Sequence, residues 1–231
     1  MWGGDGLLFG RASVHRMNSQ TERFTLPGPA GGLEALLDTP STSEPQGTAV
    51  IAHPHPLFGG TMDNKVVQTV ARAFVQSGWR ALRFNFRGVG ASQGSYDEGR
   101  GELEDLLAVV AACSAEGRLA LAGFSFGAFV AVAAADRLSA QRSIDHLVLV
   151  GAAASRFDLP QVPSALKPRT VLVHGEQDDT VPLGAVMDWA RPQNLPVTVV
   201  PGCGHFFHGQ LPLLRHIVVG AMAAHGVGPG A

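Results

Sequence analysis

The stretch 121-LAGFSFGAFVAVAAAD-136 decides the fold. It begins as an apolar run (118–124), passes through Gly123-Phe124-Ser125-Phe126-Gly127, and continues as an Ala-rich segment suited to a helix. A strand that runs straight into a helix forces the serine between them onto a sharp, strained turn. The backbones two residues before and two after that serine nearly touch, so both positions must be small, and glycine fills both. The turn lifts the serine oxygen clear of the sheet's C-terminal edge and places it at a helix N-terminus, where developing negative charge is stabilised. The pattern itself is short. The strand before it and the helix after it separate a nucleophile from a tight βα turn whose serine only caps the helix.

Working outward, five more short apolar runs each end in a loop: 48–53, 80–86, 146–152, 170–175 and 197–202. Their nearly continuous apolar character fits parallel strands covered on both faces. Helical patterns lie between them. Val66, Val67, Val70, Ala71 and Phe74 form one face of a helix with Asp63 as expected N-cap and Gly78 as stop. Leu103, Leu106, Leu107 and Val110 repeat the pattern, with Glu102, Glu104 and Asp105 expected in the first turn and Gly117 at the end. Strand alternating with helix predicts an α/β protein with a doubly wound, mostly parallel sheet and helices on both faces. Residues 23–38 read as an antiparallel hairpin added at one edge, and 39–48 as a polar loop.

The bulk properties agree with one domain over 20–226, flanked by an expected disordered extension at 1–19 and a flexible tail at 227–231. Hydrophobic residues make up 45% and charged residues 16%, a globular balance, and the net charge of −2 leaves no footprint for nucleic acid or an anionic membrane. Only Cys113 and Cys203 occur, so no disulfide framework is expected and a reducing cytoplasm is the simplest setting. The N-terminal stretch lacks the basic start and apolar length of a signal peptide, and the apolar runs are too short to span a membrane.

A serine hydroxyl needs a base within reach, and the base needs an orienting carboxylate. On this type of sheet the chain order is serine, acid, histidine, each at a strand's carboxyl end. After run 170–175 come Asp178 and Asp179, and after run 197–202 come His205 and His208. Either aspartate fits the acid; glycines on its N-terminal side favour His205 as the base. One oxyanion donor is expected from Phe126 N–H and the second from the loop after run 48–53. That loop, 53-HPHPLFGG-60, holds Pro54 and Pro56, which have no N–H, leaving Leu57 as first choice and His55 as second. His53 and His55 are read as fixing the loop rather than binding metal, since no carboxylate or cysteine lies at ligand spacing.

Taken together, 53-HPHPLFGGTMDNKVV-67, 83-RFNFRGVGASQGSYDEG-99, LAGFSFGAFVA, 174-HGEQDDTVP-182 and 202-GCGHFFHGQL-211 resemble the α/β-hydrolase superfamily, and within it small capless bacterial hydrolases with an H-P-H-P-x-F-G-G-T-M motif. The resemblance spans about residues 20–225. Its H-G-x-x-D-x-x-V-P pattern implies Asp178 as the acid, and G-x-x-H-F-F implies His205. In the strand-4 loop Asn85 stands where the superfamily usually has aspartate, and Arg87 is expected to fix the loop rather than to act in catalysis. Residues 150–170 are too short for a multi-helix cap, so an open site is expected, with His55, Phe58, Phe126, Phe157, Phe206 and Phe207 as candidate walls. The implied activity is cleavage of small carboxylic esters through an acyl-enzyme, with no cofactor or metal. Aminopeptidase-like, thioester or lactone cleavage stand as alternatives, a non-catalytic ligand-binding protein as a remote one, and a monomer or homodimer as the expected state.

Overall fold

A computed structural model describes residues 20–42, 44–113 and 117–226, so the expected extension at 1–19 and tail at 227–231 lie outside the described residues. The hairpin strands β1 (Gln20–Gly28) and β2 (Gly31–Thr39) are followed by β3 (Thr48–Ala52), α1 (Lys65–Gln76), β4 (Arg80–Phe84), α2 (Arg100–Cys113), β5 (Leu119–Phe124) and α3 (Phe126–Ser139). Then come β6 (His146–Val150), β7 (Thr170–Gly175), α4 (Leu183–Ala190), β8 (Thr198–Val200) and α5 (Leu211–Gly226). The sheet order is β1-β2-β4-β3-β5-β6-β7-β8, antiparallel at the hairpin and parallel from β4 onward.

Side chains alternate faces along each strand. Val50, Leu82, Leu121, Leu147 and Leu172 join the core under α2, α3 and α4, while Ile51, Ala81, Ala122, Val148 and Val173 join the core under α1 and α5. The sheet is therefore apolar on both faces, and burial of two cores supplies the main driving force for this architecture. The anticipated α1 face of Val66, Val67, Val70, Ala71 and Phe74 is buried. Between β6 and β7 lie turns and one short 3-10 turn, Lys167–Arg169, so no cap domain covers the sheet edge. Among the described residues, no helix is long and apolar enough to cross a membrane.

Two local expectations change. The α1 N-cap is Asn64, whose side chain accepts from Val66 N–H at 2.9 Å; Asp63 instead pairs with Arg83 at 3.3 Å. Helix α2 starts at Arg100, so only Glu102 falls in its first turn, and it serves as a buried acceptor for Asp97 N–H (2.9 Å) and Gly99 N–H (2.8 Å). Glu104 lies outside, paired with Arg137 at 3.3 Å. Asp105 is fully buried and accepts from Arg87 through its backbone N–H (3.0 Å), Nε (3.0 Å) and Nη2 (2.7 Å). Arg87 thus ties the loop after β4 to α2, the fixing role its position suggested.

Candidate active site

Ser125 sits between β5 and α3 at φ 57° and ψ −114°, a left-handed backbone that a residue with a Cβ seldom adopts. The surroundings enforce it. Ser125 N–H donates to Val150 O at 2.9 Å, and its carbonyl accepts from Ala128 N–H at 3.0 Å. A Cβ on Gly123 would fall 2.1 Å from Gly127 O, and one on Gly127 would fall 2.3 Å from Ala52 O. Only glycine allows this strand, helix and neighbouring strand to approach so closely. The Ser125 side chain makes no capping bond to α3, which removes the helix-cap reading of the motif.

His205 and Asp178 meet from the loops after β8 and β7. Imidazole Nδ1 and Asp178 Oδ2 are 2.6 Å apart, and both side chains are buried. Asp178 Oδ1 accepts from Thr180 N–H (3.0 Å) and Val181 N–H (2.7 Å), so the carboxylate is held by its own turn. Burial pushes the Asp178 pKa up, but the bonds from His205 and Val181 and the nearby imidazoles outweigh it, and the carboxyl stays below its ordinary value. The His205 ring lies against Phe124, centroids 4.9 Å apart, and over Gly151, where a Cβ would come 3.3 Å from its Cε1. Ser125 and His205 thus both stand over the ends of β5 and β6. Asp179 and His208 are exposed and take no part in this pairing.

Sequence reasoning passed over His174 and Gly151. His174 is fully buried, with Nε2 2.9 Å from Val181 O and 3.5 Å from Asp178 Oδ2. Burial lowers its pKa, so it is neutral and backs the aspartate as a donor to the turn. The histidine that opens HGEQDD was the available signal. Gly151 could be found only through its distance to His205. Cys203 is buried, and burial followed by the Asp178 charge raises its thiol pKa, so it packs as a small apolar group.

The loop after β3 is fixed by its two histidines. His53 is fully buried; its Nδ1 lies 2.6 Å from Pro54 O, and its Nε2 accepts from Phe86 N–H at 3.1 Å. A carbonyl only accepts and an amide only donates, so the proton resides on Nδ1. Burial brings the His53 pKa down to about 4, the Pro54 carbonyl opposing and His55 adding to the fall. His55 Nδ1 accepts from Leu57 N–H at 3.2 Å, and its Nε2 lies 3.1 Å from Tyr96 Oη. All four ring nitrogens are thereby engaged by protein groups. The His55 carbonyl accepts from Phe58 N–H and Gly60 N–H, both at 3.1 Å, while its own N–H meets no acceptor among the described residues.

Around His55 the rings of Phe58, Tyr96, Phe126 and Phe157 gather at centroid distances of 4.8, 4.8, 5.1 and 6.1 Å. Phe58 is 85% exposed at the loop tip, and Phe206 is 46% exposed on the far side against Phe124 and His205. Phe207, at a positive φ of 53°, is wholly buried in the core under α1 and α5 and is not a wall of the site. A cavity of about 540 Å³ between the hairpin and α1, bordered by Asp38, Arg72 and Arg83, is separate from these groups.

A mostly parallel eight-stranded sheet with a serine on a strained strand-to-helix turn defines an α/β hydrolase of the serine type. The chain belongs to the hydrolase family described as serine aminopeptidase, S33, whose family pattern matches residues 43–168. It is 33% identical over 195 residues to an uncharacterized protein of Rickettsia prowazekii, covering 78% of this chain and 79% of that one. A Xanthomonas campestris structure described as an α/β serine hydrolase without lid superposes with TM-score 0.81 and 36% identity, over 93% of this chain and 98% of that one. An α/β serine hydrolase homologue from Coxiella burnetii gives TM-score 0.76 and 41% identity, over 86% and 95%. The family match includes Ser125 and ends before Asp178 and His205.

Proposed function

We propose that the protein cleaves small carboxylic esters through an acyl-enzyme formed on Ser125. His205 Nε2 takes the serine proton as Oγ attacks the carbonyl carbon, then delivers it to the departing alcohol; water repeats the two transfers in reverse to release the acid. Asp178 holds the proton on Nδ1 and so leaves Nε2 with its lone pair, and its charge stabilises the imidazolium that forms. The observation that carries this reading is the buried His205–Asp178 contact of 2.6 Å beside the strained serine.

The oxyanion donors in this reading are Phe126 N–H and His55 N–H. The expectation of Leu57 gives way because its amide is committed to the His55 ring. His55 N–H shares a planar trans peptide with Pro54 C=O, so it points opposite to that carbonyl. His53 holds the carbonyl, and holding one end of the peptide plane aims the other. A Cβ on Gly127 would touch both Ala52 and His53 backbone atoms, which sets this loop against the start of α3, where Phe126 N–H lies. Each donor of this kind contributes about 3–4 kcal/mol to the transition state.

Ester cleavage is favoured over removal of an amino-terminal residue because only turns and one short 3-10 turn join β6 to β7, which leaves no cap domain to recognise a peptide terminus. The test compares short p-nitrophenyl esters, thioesters, lactones and aminoacyl p-nitroanilides, with fluorophosphonate labelling of wild type and Ser125→Ala. Ester turnover and labelling that vanish in the variant support the reading. Faster anilide turnover moves it to aminopeptidase chemistry, and labelling equal in both proteins refutes Ser125 as the nucleophile.

A further inference from the structure

The mechanism above uses the backbone of His55 and leaves its side chain unexplained. The ring is nonetheless one of the most heavily constrained near the site. Its Nδ1 receives Leu57 N–H at 3.2 Å, its Nε2 meets Tyr96 Oη at 3.1 Å, and four aromatic rings surround it. Tyr96 is the sole tyrosine of the chain. It comes from the loop after β4, and that loop is itself anchored: Asp97 N–H and Gly99 N–H donate to buried Glu102, and Arg87 is clasped by Asp105.

The partners dictate where the protons are. Leu57 N–H can only donate, so Nδ1 is the acceptor and the neutral ring carries its hydrogen on Nε2. Nε2–H therefore donates to Tyr96 Oη. The ring joins two loops through opposite edges, the turn of residues 55–58 on one side and a loop fastened to α2 on the other. A side chain clamped this way fixes the χ angles and backbone of its own residue, and that residue's N–H is the second oxyanion donor in the proposed function.

We propose that Tyr96 is a positioning residue for the oxyanion loop, acting through the His55 ring to hold His55 N–H on the reacting carbonyl. The inference rests on the hydrolase reading but makes a separate claim: the loop is set from α2 through Tyr96, not by the β3 turn alone.

The experiment is a double-mutant cycle in the full chain with p-nitrophenyl acetate, using Tyr96→Phe, His55→Asn and the double variant. Phenylalanine keeps the ring packing and removes only the hydroxyl. Asparagine keeps an acceptor for the amide two residues on and loses the reach to Tyr96. A positioning hydrogen bond of ordinary strength predicts that each single variant lowers kcat about 3- to 10-fold with KM nearly unchanged. The double variant should fall no further than the worse single, because both cut the same connection. Additive losses, an effect confined to KM, or an unchanged kcat in Tyr96→Phe would overturn the proposal while leaving the hydrolase reading intact. Absence of any turnover or labelling in wild type refutes that reading instead. The connection itself is read without substrate from imidazole nitrogen NMR at neutral pH. His55 protonated on Nε2, with its signal displaced in Tyr96→Phe, supports the clamp; protonation on Nδ1 refutes it.

Discussion

Replacing Asp178 by asparagine tests the proposed chemistry most sharply, because the structure dictates how the amide must sit. Oδ1 accepts from Thr180 N–H at 3.0 Å and Val181 N–H at 2.7 Å, and Oδ2 faces His205 Nδ1 at 2.6 Å. Asparagine has one acceptor atom. Turning its NH2 toward the two backbone amides would orphan two buried donors, at about 1–3 kcal/mol each. Its oxygen therefore stays on the turn and its NH2 points at His205. Two donors cannot share that contact, so the imidazole moves its proton to Nε2, and the lone pair that should receive the serine proton is gone. The expected loss is about 10⁴-fold in kcat, about 5.5 kcal/mol of transition-state stabilisation, with KM and thermal midpoint close to wild type. Steady-state p-nitrophenyl ester hydrolysis measures the loss, and calorimetry shows that the fold persists. Asp179→Asn, at an exposed carboxylate that accepts from Thr180 Oγ1, should leave kcat unchanged. A tenfold or smaller effect at Asp178, or a larger one at Asp179, would refute the reasoning.

Three further outcomes follow from the same contacts. His53 titrates near 4 folded against 6.5 unfolded, so only the unfolded chain binds its proton between those values; stability is complete above about pH 6.5 and falls by up to about 3 kcal/mol toward pH 4, and a His53→Gln variant with the same slope of midpoint against pH would contradict this. Asn85 donates to Glu34 Oε2 at 2.8 Å, so Asn85→Asp should set two carboxylates against each other and cost about 2 kcal/mol in urea unfolding, largely restored by adding Glu34→Gln; no loss, or no restoration, would tell against the pairing. Gly127→Ala pushes a Cβ into the Ala52 carbonyl, backbone against backbone, and should abolish fluorophosphonate labelling together with near-ultraviolet circular dichroism; normal labelling would mean that the turn can yield.

How much of this could be read from the chain depends on how local each cause is. The apolar runs became β3 to β7 because a strand buried on both faces carries its signal in consecutive residues, and the run 80–86 overshot only by Asn85 and Phe86, which begin the next loop; at the sheet edge β8 keeps only Val200 buried. The elbow was legible because its steric demand falls on Gly123 and Gly127, two residues either side of Ser125. What stayed hidden involves residues far apart. Nothing near Asp105 announces that Arg87 will fold back onto it, and an acidic residue early in a helix looks like a response to the macrodipole. The proposed preference for His55 over Leu57 as donor rests on a contact of the same hidden kind. Counting which residues own an N–H says nothing about which one a histidine ring has already claimed. The direction of the His55 amide depends on His53, which is set in turn by Phe86 N–H, 33 residues away.

The unusual asparagine in the strand-4 loop makes sense in that wider network. An aspartate at position 85 could accept from Met62 N–H, as Asn85 Oδ1 does at 2.9 Å, but could not also donate to Glu34. Glu34 Oε2 in turn accepts from Ala91 N–H at 3.0 Å, while Ser92 Oγ accepts from Glu34 N–H at 2.9 Å and donates to Asn85 O at 2.7 Å. The hairpin strand β2, the loop after β3 and the loop after β4 are thus bound through one buried polar cluster, whose members are costly to remove singly. This bears on an edge with no cap. Where a lid closes, substrate binding can assemble the donors. Here they must stand in place beforehand, and electrostatic stabilisation requires dipoles that do not reorganise as charge develops. Phe86 and Tyr96, each bonded to a histidine of the loop after β3, extend the cluster to the proposed oxyanion donor. In the proposed reading, the order that a cap would supply on closing comes instead from the hydrogen bonds of the loop after β4, which is why Tyr96→Phe should alter kcat with KM nearly unchanged.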